Sequence, residues 1–220
     1  MISLTQLAEA AAATVADALG STGVVDPEVR PAWPGARLFG PAFTVRCYPG
    51  SIITVHKALL EAQPGEVLVV DAGNDATGAL FGAMMATDAQ QRGIAGLVTD
   101  GAVRDTAHLA EMGFPCFARR VTPRVGTNRR VGTTGEIVAC GGAVVRPGDY
   151  VLGDADGVVV IPRERAEEIE ALVVATQKKE DDWRRRMLAG ERVADLIGFR
   201  GLIYPDSSVD PSSSGHGARK

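Results

Sequence analysis

The sequence predicts an α/β protein, because short apolar runs alternate with segments of helical periodicity in the middle of the chain. Two runs, 67–70 and 94–100, are rich in valine, leucine and isoleucine, as in the buried strands of a parallel sheet. Each run leads into a loop and then into a segment with helical spacing of apolar residues, at about 83–92 and 106–112. Strands, loops and helices in alternation are typical of helices packed on a mostly parallel sheet.

The elements that flank this region follow from periodicity and from helix-breaking residues. Apolar residues recur at helical spacing over 4–19, and glycines follow, so we expect one amphipathic helix there. The other expected elements of the first half are a proline-rich loop at 26–35, a strand at 38–47, a helix at 53–61 and, after the α/β region, a strand at 114–119.

The second half of the chain has a different texture. Residues 123–161 contain short apolar stretches separated by glycines, which indicates a β-rich layer. Residues 163–190 predict a long charged helix, and 205–220 have the low-complexity composition of a disordered tail. We therefore expect a single α/β domain over 1–204, including the long helix, followed by that tail.

The composition is that of a globular protein and excludes several classes of function. Of the 220 residues, 45% are hydrophobic and 23% are charged, which excludes a disordered or fibrous chain. The formal net charge of -4 does not favour a broad basic face, so we expect no nucleic-acid partner. Apolar runs fall short of the ~18 residues of a membrane-spanning helix, so we expect no membrane partner.

The cysteines give information about the redox environment. The chain has an odd number of cysteines and no CxxC pair; the three are Cys47, Cys116 and Cys140. This pattern favours reduced, buried thiols and a cytoplasmic location over a disulfide framework. The cysteines and histidines also lack the spacing of a zinc site.

Two loops that follow predicted strands carry the residues of chemical interest, since ligands of α/β folds bind at the carboxyl ends of strands. The first loop, 71–78, leads to Gly82 and to a helix whose first amides can face an anion. An ordinary helix entry explains this loop equally well. No Lys-Ser/Thr pair follows, so the loop is not a nucleotide phosphate loop.

The second loop, 100–105, ends in Arg104 and Asp105. A guanidinium matches a carboxylate in two parallel hydrogen bonds, and a carboxylate provides the hard oxygen atoms that Mg²⁺ prefers. The alternative is a local arginine–aspartate pair on the surface, which the spacing alone favours.

Four segments together resemble the RraA-like family. This family includes the class II 4-hydroxy-4-methyl-2-oxoglutarate/4-carboxy-4-hydroxy-2-oxoadipate aldolases and the regulators of ribonuclease E activity. The resemblance extends from about residue 5 to residue 200. The segments are QPGEVLVVDAG at 63–73, GALFGAMMA at 78–86, VTDGAVRD at 98–105 and RPGDYVLGDADGVVVIP at 146–162.

The resemblance implies a layered α/β sandwich related to the phosphohistidine swivelling domain, assembled as a homotrimer or homohexamer. It also implies that Asp105 ligates a divalent cation, Mg²⁺ or Mn²⁺. Arg104 falls where the family's aldolases bind the carboxylate and carbonyl end of the substrate.

Further residues take roles from the same resemblance. Gly82, Ala83, Met84 and Met85 match the helix entry whose backbone amides hold that end of the substrate. Asp17 falls near an acidic position that, in these aldolases, reaches into the site of the neighbouring subunit.

Two positions differ from the aldolases. Ala83 stands where they often carry an acid after the helix-entry glycine, and His108 stands where they often carry Glu or Asp. His108 is either a residue that positions water or an exposed helix histidine. His56, on a predicted helix among apolar residues, is interpreted as a packed or surface histidine rather than a catalytic one.

The resemblance therefore implies a metal-dependent aldolase that cleaves a 4-hydroxy-2-oxo acid to pyruvate and a second oxo acid. Oxaloacetate decarboxylation is expected as a further activity, because it passes through the same enolate. The alternative is a non-catalytic regulator that binds a ribonuclease.

Overall fold

The computed structural model describes residues 4–205 and has a mixed α/β fold, which confirms the predicted class. The helices are α1 Thr5–Glu9, α2 Ala12–Ala18, α3 Ile53–Glu61, α4 Ala83–Gln91, α5 Thr106–Met112, α6 Ala166–Leu188, α7 Val193–Leu196 and α8 Arg200–Ile203, with a short 3-10 helix at Arg163–Arg165. The strands are β1 Arg30–Pro31, β2 Leu38–Arg46, β3 Val67–Asp71, β4 Ala79–Phe81, β5 Gly96–Val103, β6 Cys116–Val121, β7 Thr133–Thr134, β8 Val138–Cys140, β9 Ala143–Val145, β10 Tyr150–Asp154 and β11 Gly157–Ile161.

The main sheet has the strand order β1-β6-β5-β3-β2-β10-β11, with β4 beside β5 and β7 beside β2. Four neighbouring pairs are parallel: β2 with β3, β3 with β5, β5 with β6, and β4 with β5. Strand β10 is antiparallel to β2 and to β11. The carboxyl ends of the parallel strands therefore meet at one edge of the sheet. The loops predicted to carry chemistry leave from that edge.

One early segment of the chain nearly closes the sheet. Val24 forms an antiparallel bridge with Val159 of β11, and β1 then pairs with β6 at the other end of the strand order. The backbone amide of Val25 also donates to the carbonyl of Val158 at 3.0 Å. Residues 24–31 thus link β11, at one end of the strand order, to β6 near the other.

Alternation along the strands places apolar side chains on both faces of the sheet. In β3, Leu68 and Val70 pack with α3, α4 and α5, while Val67 and Val69 face a second cluster that includes the β8–β9 hairpin. A third cluster packs α1, α2 and the start of α6 on β10 and β11. Helices α3, α4 and α5 therefore cover one face of the parallel strands, and the predicted site lies beside that face.

The single helix expected at 4–19 is wrong, because α1 and α2 are separate helices. Ala10 between them is extended, with ψ 153°. Two distant side chains hold the break: Arg37 donates to the carbonyls of Ala8 and Ala10, and the Asp154 carboxylate accepts from the amide of Ala12 at 2.8 Å. These tertiary hydrogen bonds override the local periodicity.

The other boundaries agree with the predictions to within a few residues, and the long charged helix is confirmed as the 3-10 turn followed by α6. Strand β4 lies where a continuous loop and helix entry were expected. The chain divides into two compact units, one up to Val174 and one from Ala175. The single domain over 1–204 stays a prediction, and the expected tail lies, except for residue 205, outside the described residues.

The described part of the second unit consists of the rest of α6 with α7 and α8. Four of its arginines form ion pairs with nearby acids, as Arg186 does with Glu191 at 2.6 Å; the others are Arg184, Arg185 and Arg200. Among residues 4–205, no helix has both the length and the apolar character needed to cross a bilayer.

Candidate active site

Arg104 and Asp105 lie directly after β5, at the carboxyl edge of the sheet. All eight residues of β5 are buried, so the strand fixes the point from which the two side chains leave. Asp105 has φ 58° and ψ 35°, a left-handed conformation that non-glycine residues adopt at an energetic cost. This conformation reverses the chain before α5.

Gly82 lies against both side chains. A Cβ atom added to it would be 2.6 Å from Asp105 Oδ2, 2.9 Å from Arg104 Cγ and 3.1 Å from Arg104 Nε. The backbone of Gly82 is extended, with φ -161°, so its conformation does not require glycine. The residue is small because Arg104 and Asp105 occupy the space that a side chain would need.

The start of α4 binds the Asp105 carboxylate. The amide of Ala83 donates to Asp105 Oδ2 at 3.0 Å, and Arg104 Nε is 3.5 Å from the same oxygen. The amides of Met84 and Met85 belong to the first helical turn and have no acceptor within the helix. Together with the positive end of the helix dipole, they make this helix entry suitable for an anion.

A pocket of about 150 Å³ lies beside this group. Arg104 and Gly82 form part of its wall, and His56 of α3 forms another part. The remaining lining residues are Ile52, Ala79, Leu80, Phe81, Met84, Met85 and Val125. The pocket therefore combines an apolar surface with two polar side chains, those of Arg104 and His56.

The loop after β3 is held by a buried carboxylate. Asp100, 1% exposed, accepts hydrogen bonds from the amides of Ala72 at 2.7 Å and Asn74 at 3.2 Å. Burial raises the pKa of Asp100, and these hydrogen bonds oppose that rise. Sequence reasoning gave Asp100 no role, although an acid in an otherwise apolar strand was a usable signal.

The structure brings together most of the predicted site residues. Asp105 contacts Arg104 and the amide of Ala83, and Gly82 lies close to Arg104 and Asp105. The backbone of the first turn of α4 continues from this group. The Met85 side chain is buried in the core, whereas that of Met84 is 80% exposed.

Two predicted residues lie apart from this group. His108 is exposed on α5. Asp17 is exposed on α2, which packs against β10 and β11 rather than β5. A role for Asp17 in the site of a neighbouring subunit stays a prediction. His56, interpreted from the sequence as a packed or surface residue, is an exposed part of the pocket wall.

The residues present fit a weakly coordinated divalent cation rather than a structural metal. Within the described part of the chain, no three histidine, cysteine or acidic side chains cluster as a metal site. The Asp105 side chain is 35% exposed, and its carboxylate provides hard oxygen atoms. Mg²⁺ is commonly held by one or two carboxylates, with water and substrate supplying the other ligands.

The cysteines do not provide a nucleophile. Cys47, Cys116 and Cys140 are free and buried, as predicted. Burial raises the pKa of the Cys47 and Cys116 thiols to about 12, and that of Cys140 is also raised. The thiols are therefore protonated at neutral pH and inert.

Comparison with known proteins identifies similar sequences. The model of the RraA-like family, described as Aldolase/RraA, matches residues 12–160. A protein of Halalkalibacterium halodurans named "Putative 4-hydroxy-4-methyl-2-oxoglutarate aldolase" is 36% identical over 203 residues. The match covers 92% of this chain and 96% of the relative.

Two solved structures share the fold. An uncharacterized protein from Pseudomonas syringae pv. tomato has a TM-score of 0.79 and 26% identity, with 89% of this chain and 92% of that chain covered. Streptomyces coelicolor RraAS2, described as an unusual member of the RNase ES inhibitor RraA protein family, has a TM-score of 0.76 and 30% identity. That match covers 83% of this chain and 96% of the other.

Proposed function

The chain belongs to the RraA-like family, and we propose that it is a class II aldolase, a lyase that releases pyruvate with the help of Mg²⁺ or Mn²⁺. Its substrate is a 4-hydroxy-2-oxo acid with one or two further carboxylates, and its second product is another oxo acid. The observation that carries this proposal is the convergence of Arg104, Asp105 and the Ala83 amide at Gly82. The name of the Halalkalibacterium halodurans relative supports it.

Arg104 and the start of α4 bind the pyruvyl end of the substrate. The guanidinium binds the C1 carboxylate through two parallel hydrogen bonds. The first-turn amides of Met84 and Met85 hold the same end, aided by the helix dipole. Asp105 is the residue that would hold the cation. When bound, the cation acts as a Lewis acid that favours negative charge on the C2 oxygen.

The cleavage is a retro-aldol reaction. A base removes the proton of the C4 hydroxyl, the C4–O bond becomes a carbonyl, and the C3–C4 bond breaks. The electron pair of that bond forms the enolate of pyruvate, which is protonated at C3. Arg104 and the helix amides stabilise the enolate because they face the end where negative charge develops.

Oxaloacetate provides a second route to the same enolate. Its C3–C4 bond breaks with release of carbon dioxide, and the electron pair again remains on the pyruvyl carbon atoms. The same residues bind the same end of the molecule. We therefore propose oxaloacetate decarboxylation as an accompanying activity.

The candidate base is Asp17 of a second copy of the chain. Asp17 lies on α2, away from Arg104 and Asp105 of its own chain, so it serves this role only in an oligomer. A homotrimer or homohexamer is the assembly proposed on the basis of the family resemblance.

A panel of 4-hydroxy-2-oxo acids and oxaloacetate, scored for pyruvate release, tests the proposal. We expect release with added Mg²⁺ or Mn²⁺, little after chelation, and recovery when the metal is restored. Asp105→Asn, which keeps the size of the side chain, abolishes the metal-dependent part. Equal rates with and without metal, or full activity of Asp105→Asn, would contradict the proposal.

The second candidate function is inhibition of a ribonuclease without catalysis. The similarity to Streptomyces coelicolor RraAS2 favours it. Such a regulator has no requirement for Arg104 or Asp105. Two results together would support this function over the aldolase. The protein would inhibit a ribonuclease of the E type, also as the variants Arg104→Ala and Asp105→Asn, and it would turn over no oxo acid.

A further inference from the structure

His56 has an unused imidazole in the wall of the pocket beside Arg104. It lies on α3, an element separate from the β5–α5 loop that carries Arg104. Its side chain forms no hydrogen bond or ion pair with any described residue, whereas the neighbouring Lys57 donates to Thr134 Oγ1 at 3.0 Å. The imidazole of His56 is therefore available to a ligand.

The pocket offers few other polar groups. Apart from His56 and Arg104, every side chain of its lining is apolar or absent. A carboxylate or hydroxyl that lost water on binding there without gaining a hydrogen-bond partner would cost free energy. Arg104 is assigned to the pyruvyl end, so the oxygen atoms at the other end of the substrate require a different partner.

We infer that His56 donates a hydrogen bond to an oxygen atom on C4 of the substrate, an inference that rests on the proposed function. The substrate then spans the pocket, with its pyruvyl end at Arg104 and its C4 oxygens at His56. His56 is a specificity-determining residue in this arrangement. It selects 2-oxo acids that carry a carboxylate or hydroxyl at C4 over those that end at C3.

Two half-reactions separate this role from general damage to the site. Cleavage requires C4, whereas exchange of the methyl protons of pyruvate with deuterated water requires only C1 to C3. In His56→Leu we expect kcat/KM for cleavage to fall about 10- to 100-fold, the loss typical of a hydrogen bond to a charged group. Pyruvate exchange should remain within about twofold of the wild-type rate, since the group removed lies beyond C3. His56→Gln, which keeps a donor, should recover part of the cleavage.

The control variant is Leu60→Ala, on the same helix. Leu60 is 73% exposed and does not line the pocket, so both half-reactions should stay at the wild-type rate. Calorimetry in the presence of Mg²⁺ gives a readout that is independent of turnover. Malate, which has a C4 carboxylate, should bind His56→Leu several-fold more weakly, while oxalate, which has no C4, should bind equally well.

Each other outcome overturns the inference. Parallel losses of cleavage and exchange would assign His56 to the pyruvyl end. Unchanged cleavage and malate binding would exclude contact with C4. A wild-type protein that neither cleaves nor exchanges would instead refute the proposed function, and the assignment of His56 with it.

Discussion

Gly82→Ala should disable the site while leaving the fold intact. The added Cβ would lie 2.6 Å from Asp105 Oδ2 and 2.9 Å from Arg104 Cγ. A relaxed carbon–oxygen contact is about 3.3 Å and a carbon–carbon contact about 3.5 Å, so each side chain must move by roughly 0.6–0.7 Å. A misplacement of about 1 Å at a reacting group can cost on the order of 10²-fold in rate. We therefore expect kcat/KM for pyruvate release to fall about 10- to 100-fold.

The assay compares pyruvate release with the free energy of unfolding in urea. The extended backbone at Gly82 accepts alanine, and the displaced atoms belong to partly exposed side chains, so stability should change by less than about 1 kcal/mol. Gly201→Ala is the matched control, because no atom lies within 4 Å of the added Cβ. Wild-type kinetics in Gly82→Ala would refute the idea that close contact at this glycine positions Arg104 and Asp105.

Three further predictions concern the anion-binding group, the loop and the thiols. Arg104→Lys should lower kcat/KM on the order of 10²-fold, because an ammonium cannot reproduce two parallel hydrogen bonds; near-wild-type steady-state kinetics would argue against this role. Asp100→Ala should lower the free energy of unfolding by about 2 kcal/mol, since the buried amide of Ala72 loses its acceptor; an unchanged urea midpoint would contradict it. Cys47 and Cys116, with pKa values raised to about 12, stay protonated at pH 8, so a thiol reagent should label them only after denaturation; rapid labelling of the native protein would show that they are accessible.

The strands and loops of the centre could be predicted because their signals are local. Val67–Val70 is apolar throughout and ends in turn-forming residues, and this pattern is sufficient for a buried parallel strand. The pairing of Arg104 with Asp105 follows from adjacency in the chain. The two loops lie at the same edge of the sheet because the strands that they follow are parallel.

Other features depend on residues far apart in the chain. The break at Ala10 is held by Asp154, and the closure of the sheet depends on Val24 meeting Val159. The left-handed conformation of Asp105 is imposed by the turn between β5 and α5, and aspartate alone does not predict it. His56 is exposed, in agreement with its interpretation as a surface residue, but only tertiary packing shows which cavity it lines, because its helix has ordinary amphipathic periodicity.

A crystal structure determined with Mg²⁺ and pyruvate tests the central claim most directly. We expect the cation on the carboxylate of Asp105 and the carboxylate of pyruvate on the guanidinium of Arg104, beside the first amides of α4. Two results would contradict the account. Electron density for pyruvate could lie at another surface, or the Asp105 side chain could bind only the Ala83 amide at saturating Mg²⁺ and pyruvate.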